Sequence, residues 1–124
     1  MKLSLLNKNN QILLLKRSST NKKFAEEWDL PGGHIKMREN AIDGLIREVE
    51  EETGVRISKR DVQSLSVSEN KTFYLVKKDT MPDEIVIKLS DEHSDHVFAS
   101  LEEIDNFNLS REFVNVIGKA YGTD

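Results

Sequence analysis

Short apolar runs separated by polar turns organise most of this chain. Leu3–Leu6 and Ile12–Lys16 flank the polar segment Asn7–Asn10, a pattern that predicts two strands joined by a turn. Glu84–Leu89 alternates apolar and polar residues with the two-residue period of a strand that has one buried face. Further strands are predicted at Val62–Val67, Thr72–Lys77 and Val97–Leu101.

Two segments carry the spacing of amphipathic helices. Between Asn40 and Thr53, apolar residues recur at steps of three and four, and Gly54 follows as a stop signal. Asn40 is a suitable N-cap because its side chain can accept a hydrogen bond from a free backbone N–H. The second helix is predicted from Phe113, Val114, Ile117 and Tyr121, with Ser110 as its cap and Gly122 at its end.

The order of these elements predicts a fold of the α/β (α+β) class. Strands and helices interleave without a strict βαβ rhythm, which favours a mixed β-sheet covered by helices. The chain has 124 residues, of which 37% are hydrophobic and 32% charged. This size and balance are typical of one globular domain, so we expect residues 1–124 to form a single domain.

Composition narrows the classes of function. The absence of cysteine excludes disulfides and thiolate metal sites, which leaves oxygen ligands as the alternative. The net charge of -4 and the lack of a basic stripe argue against a nucleic-acid polymer as partner. Neither a membrane-length apolar run nor a signal-peptide pattern occurs, so we expect a cytoplasmic protein without a membrane partner.

Three carboxylates share one face of the first predicted helix. With Glu48 set at zero, a turn of about 100° per residue puts Glu52 near +40° and Glu51 near -60°. By the same count Glu50 falls near 200°, roughly opposite. Three like charges on one face repel each other, whereas a hard divalent cation would make the arrangement favourable. A solvated acidic face is the other interpretation, and the helix alone does not decide between them.

Fixed residues around this helix resemble the signature of the Nudix hydrolases. That signature places a Gly, a Glu and an Arg-Glu-apolar-X-Glu-Glu-X-Gly-apolar run at set spacings, preceded here by the Trp28–Gly33 lead-in WDLPGG. One departure is Met37–Arg38, because the family commonly has Gly just before the first Glu. The matching positions are Gly33, Glu39, Arg47, Glu48, Val49, Glu51, Glu52, Gly54 and Val55.

The resemblance implies an α/β/α sandwich and hydrolysis of a nucleoside diphosphate linked to another moiety X. It implies that Glu48, Glu51 and Glu52, with the backbone carbonyl of Gly32, bind Mg²⁺, with Mn²⁺ as an alternative. Glu48 would also orient or deprotonate the attacking water. The resemblance also implies that Arg47 pairs with carboxylates of the signature and holds them in place. The alternative is that Arg47 forms only a surface salt bridge, which contributes little to stability. Gly33 and Glu39 are candidate substrate-binding residues: Gly33 would allow the close turn of the loop, and Glu39 would form a hydrogen bond within the loop or touch the metal shell.

Many family members use a further Glu from a later loop as base or extra metal ligand. Glu92 stands before the apolar run at Val97, where such a residue is expected, and an exposed loop carboxylate is the alternative. His93 and His96 are not spaced as a convincing metal pair, and oxygen ligands suit Mg²⁺ better than imidazole does.

Substrate contacts are less sharply indicated. His34 follows the glycines and is either a phosphate contact or an ordinary loop histidine. Trp28 either stacks on a base or packs against the sheet. In the branch that removes oxidised dGTP an Asn near the start of the last helix reads the purine, and Arg111 stands there instead.

Three functions remain open at this point. The first is a metal-dependent pyrophosphohydrolase acting on a small nucleotide. The second is a Nudix-fold regulatory module that binds a nucleotide without cleaving it, which loss of a signature carboxylate would favour. The third is a hydrolase of a non-nucleotide diphosphate. A homodimer is compatible with each of them.

Overall fold

A computed structural model describes residues 1–122. Short 3-10 turns lie at Lys59–Asp61, Lys78–Thr80 and Ile104–Phe107. The strands are β1 (Lys2–Leu5), β2 (Ile12–Arg17), β3 (Trp28–Asp29), β4 (Val62–Val67), β5 (Thr72–Val76) and β6 (His93–Ala99), and the helices are α1 (Ala41–Thr53) and α2 (Arg111–Tyr121).

The strands form two small sheets rather than one continuous sheet. One has the order β1-β5-β4 and the other β3-β2-β6. β1 runs parallel to β5, with Leu3 opposite Tyr74, and the remaining pairs are antiparallel. The arrangement is therefore mixed, as predicted. A bridge between Lys2 and Gly32 brings the WDLPGG segment alongside β1.

A helix covers each side of the strand layer. In β2, Ile12 and Leu14 belong to the core cluster that contains α2, whereas Leu13 and Leu15 belong to the cluster that contains α1. This division follows from the two-residue period of a strand, which sends successive side chains to opposite faces. The predicted α/β/α sandwich is confirmed.

Both helices begin at the predicted caps. The Asn40 side chain accepts a hydrogen bond from the Asp43 backbone N–H, and the Ser110 side chain accepts one from Phe113. Gly54 ends α1 in the left-handed region at φ 74, where a glycine is favoured because it has no Cβ. Among residues 1–122, no helix combines the length and apolar character needed to span a membrane.

The prediction of a strand at Glu84–Leu89 is wrong. Ile85, Ile87 and Leu89 do turn their side chains toward the α1-side core, which accounts for the alternation. The backbone pairs with the end of α1 instead of a strand, because Lys88 N–H donates to the Thr53 carbonyl at 2.8 Å.

The last strand lies earlier than predicted. β6 covers His93–Ala99, whereas Val97–Leu101 was expected. β6 pairs with β2 along its whole length, with a register shift at Arg17, so polar residues before Val97 also join the ladder. The two-residue strand β3 lies in the WDLPGG segment, where no strand was predicted.

Candidate functional site

Glu52 is the most buried carboxylate of the predicted set. It lies in the last turn of α1 with 5% of its surface exposed. The Gly32 backbone N–H donates a hydrogen bond to its Oε1 atom at 2.8 Å. The WDLPGG turn and the end of α1 are thereby joined at one carboxylate.

Burial raises the pKa of the Glu52 carboxyl to about 8. The neighbouring Glu48 and Glu92 carboxylates raise it further, while the Gly32 N–H and the Lys2 ammonium favour the ionised form. A carboxylate with a high pKa among other carboxylates is poorly solvated and repelled by like charge. A bound cation would relieve both effects, so this electrostatic environment suits a metal ligand.

The first residue of β6, His93, and the residue before that strand, Glu92, lie close to Glu52. One ligand atom from each of Glu52, Glu92 and His93 lies within 4.8 Å of the others. We call these three residues the candidate metal cluster. Glu92 is exposed and His93 is buried, with 6% of its surface accessible. The structure therefore places the proposed loop Glu beside the signature helix.

His93 is a residue that the sequence analysis dismissed. Its separation from His96 gave no metal-pair pattern, and His96 is exposed. The available signal was its position directly after Glu92. Burial lowers the pKa of the His93 imidazole, which favours the neutral form that binds metals.

Arg47 holds three carboxylates together. Its Nε donates to Glu39 at 2.8 Å, and its Nη1 donates to Glu48 at 3.0 Å and to Glu51 at 3.1 Å. The Arg47 guanidinium holds the pKa of Glu39 down to about 2, and the carboxylates raise the pKa of Arg47 in turn. Arg47 also donates to the His34 carbonyl, so it ties the loop to the helix.

The two glycines at the end of WDLPGG are needed for close approach. Gly32 has φ 140, and a Cβ there would lie 2.0 Å from the Met1 carbonyl oxygen. A Cβ at Gly33 would lie 2.7 Å from the Glu48 carboxyl group. A side chain at Gly32 would collide with the backbone at the start of β1, and a side chain at Gly33 would collide with Glu48 of α1.

Of the other acidic residues of α1, Glu50 lies apart from the site, as helical geometry predicts. Glu51 is half exposed and accepts hydrogen bonds from Arg47 rather than joining the candidate metal cluster. Glu50 points away and pairs with the exposed Arg56. Glu48 contributes to the electrostatics of Glu52 and packs against Gly33.

The predicted substrate contacts are scattered. His34 is exposed beside the glycines, whereas Trp28 is partly buried and meets the Phe107 ring edge-on at 5.1 Å. This favours the packing interpretation of Trp28. Trp28 packs against the core cluster that contains α2, and Arg111 is exposed at the first residue of α2.

Comparison with known proteins decides the family. A model of the NUDIX domain matches residues 3–117. The chain belongs to the Nudix family. The crystal structure of a MutT protein from Methanosarcina mazei Go1 has a TM-score of 0.75 and 27% identity, covering 95% of this chain and 88% of that one.

Two curated Nudix relatives match over part of the chain. The m7GpppN-mRNA hydrolase NUDT17 of Danio rerio is 38% identical over 56 residues, 45% of this chain and 19% of that protein. A putative 8-oxo-dGTP diphosphatase of Bacillus subtilis (strain 168) is 47% identical over 49 residues, 40% of this chain and 30% of that protein. The aligned part of each match thus spans less than a third of the relative.

Proposed function

We propose that this Nudix chain hydrolyses a phosphorus–oxygen bond in a nucleoside diphosphate linked to another moiety, with a divalent metal ion. The observation that carries the proposal is the buried Glu52 carboxylate within 4.8 Å of ligand atoms from Glu92 and His93. A buried carboxyl group among other acidic groups is costly in a site without a function.

The residues present fit a divalent ion. Glu48, Glu51, Glu52 and the Gly32 carbonyl would hold Mg²⁺ or Mn²⁺. Of these, Glu52 belongs to the candidate metal cluster with Glu92, whereas Glu48 and Glu51 accept hydrogen bonds from Arg47 and would bind the ion from those positions. A metal ion in such a site neutralises phosphate charge and lowers the pKa of a bound water.

The remaining site residues position the signature carboxylates or contact the attacking water and the substrate. Arg47 and Glu39 keep the signature carboxylates at fixed positions through their charge-assisted hydrogen bonds. Glu92 is exposed and therefore accessible as a proton acceptor for the attacking water. Gly33 and His34 are the proposed phosphate contacts of the loop, and Arg111 is the proposed nucleotide contact, because Trp28 packs against Phe107.

The names of the relatives suggest which substrates to try first. One relative is named for a methylated guanine cap and the other for an oxidised dGTP. Small guanine nucleotides therefore head the panel, followed by other nucleoside diphosphate derivatives and by non-nucleotide diphosphates.

The test is release of phosphate or pyrophosphate across this panel with Mg²⁺, with Mn²⁺ and with EDTA. We expect metal-dependent turnover of at least one nucleotide and its loss in Glu51→Gln and Glu48→Gln. Arg56→Ala, which removes only the partner of the outward-facing Glu50, is the matched control. Nucleotide binding without turnover would support the regulatory module instead, and turnover unchanged in the Glu variants would contradict the proposal.

A further inference from the structure

We propose that His93 is a metal ligand beside Glu52 and Glu92, and that it makes the site favour Mn²⁺ over Mg²⁺. This inference rests on the proposed metal-dependent function and concerns which ion the site selects. It begins from the position of His93 at the first residue of β6, opposite Arg17 on β2.

The His93 ring is buried without a hydrogen-bond partner. Its Nδ1 atom has essentially no exposed surface and no partner among residues 1–122. Only one other buried side-chain atom in that part of the chain, the Ser4 hydroxyl, is in this condition. Buried polar atoms are nearly always satisfied, so an unpartnered nitrogen on a buried ring that also presents a ligand atom within 4.8 Å of two carboxylates indicates a ligand.

The neighbouring cations Lys2 and Arg17 form their salt bridges with Asp29 rather than with the carboxylates of the candidate metal cluster. Lys2 Nζ and Arg17 Nη1 both pair with the buried Asp29 carboxylate, at 2.8 and 3.4 Å. Glu52 accepts its one hydrogen bond from a backbone N–H. Two carboxylate oxygens and one imidazole nitrogen therefore remain available to one ion.

This donor set distinguishes between divalent ions. Mg²⁺ takes oxygen ligands almost exclusively and requires near-octahedral geometry. Carboxylate oxygens suit both Mg²⁺ and Mn²⁺, whereas imidazole nitrogen is a ligand of first-row transition metals, the class to which Mn²⁺ and not Mg²⁺ belongs. One nitrogen in place of one oxygen should therefore shift the preference toward Mn²⁺.

Pulsed electron paramagnetic resonance of Mn²⁺ bound to the substrate-free protein tests the inference without any activity measurement. A directly bound imidazole gives a ¹⁴N modulation, which changes to a ¹⁵N modulation when histidine is labelled with ¹⁵N. The chain has three histidines, so His34→Gln/His96→Gln leaves His93 as the sole imidazole. We expect the modulation to persist in this double variant, which keeps the buried residue intact, and to vanish in His93→Gln.

The ratio of Mg²⁺ to Mn²⁺ dissociation constants gives the size of the effect. We expect His93→Gln to reduce this ratio about tenfold, and His96→Gln to leave it unchanged. Bound Mn²⁺ without nitrogen modulation, or modulation lost with His34 and His96, would overturn the inference and leave the proposed hydrolase standing. Failure of both Mg²⁺ and Mn²⁺ to bind would overturn the inference and the proposed function together.

Discussion

Helix α1 and the segment 84–92 both reach the candidate metal cluster, but they are held in different ways. α1 has its own backbone hydrogen bonds, a side-chain cap at Asn40 and a glycine stop at Gly54. Segment 84–92 is held from outside, by backbone bonds from Lys88 to Thr53 and from Ser90 to Glu52. The helix side of the site is thus built locally, and the Glu92 side depends on the helix being in place.

The largest expected effect concerns Glu52, where the two regions meet. The carboxyl has a folded-state pKa of about 8 against an ordinary 4.5, so the metal-free folded protein binds more protons than the unfolded chain between these values. Its stability should therefore fall as pH rises from about 4.5 to about 8, by a few kcal/mol in all. Thermal unfolding in EDTA at several pH values measures this.

The control for that prediction is Glu52→Gln, which cannot ionise. Subtracting its pH profile from that of the parent removes the contributions of other groups, among them His93, whose lowered pKa acts in the opposite direction. If the difference in stability between the parent and Glu52→Gln did not change with pH, the strongly raised pKa of Glu52 would be contradicted.

Next in size is the effect of removing the Arg47 guanidinium, which would separate Glu39, Glu48 and Glu51. We expect Arg47→Ala to weaken Mn²⁺ affinity about tenfold or more, because groups that orient metal ligands have effects of that order. Isothermal calorimetry is the measurement. Arg47→Lys should recover little, since one ammonium cannot donate in the same fork-shaped geometry. Full recovery by Lys would show that charge alone suffices.

A smaller effect is expected on the other side of the site. Ile87 is half buried against the α1-side core, so Ile87→Ala should lower the free energy of unfolding by about 1 kcal/mol. Val86 is 75% exposed in the same segment, and Val86→Ala should change stability by less than about 0.5 kcal/mol. Urea unfolding compares the two. If both variants changed the free energy of unfolding equally, the side chains that segment 84–92 packs against the α1-side core would not be what holds it in place.

The smallest expected effect is at Arg38, which has φ 67 at the position where the family commonly has glycine. Left-handed backbone costs a residue with a Cβ about 1 kcal/mol, part of which is offset because glycine loses more entropy on folding. Arg38→Gly should therefore raise the free energy of unfolding by about 0.5 kcal/mol. Arg38→Ala keeps a Cβ in the left-handed conformation, so it should not raise the free energy of unfolding. If Arg38→Ala raised it as much as Arg38→Gly does, the backbone at this position would not be strained.

The two regions also differ in how far the sequence predicts them. The spacing of apolar residues, the cap at Asn40 and the stop at Gly54 encode α1 locally, so the division between Glu50 and its neighbours follows from helical geometry alone. The resemblance added Arg47 and the glycines, and the structure shows how each of them touches the carboxylates.

Long-range contacts account for what the sequence did not predict. Alternation in Glu84–Leu89 correctly indicates one buried face, but it does not say whether the backbone pairs with a strand or with the end of a helix. His93 gains its significance only where β6 meets Glu52, 41 positions earlier in the chain. Its burial beside Arg17 and Asp29 depends on pairings between strands that no local pattern specifies.

The central claim is that the inner carboxylates of α1 perform metal-dependent hydrolysis while the outer one does not. The most direct measurement compares single-turnover rates of Glu52→Gln and Glu50→Gln on a nucleotide that the parent protein cleaves. Both variants make the same chemical change two positions apart on one helix. We expect Glu52→Gln to lose at least about a hundredfold in rate and Glu50→Gln to match the parent; equal rates in the two variants would contradict the claim.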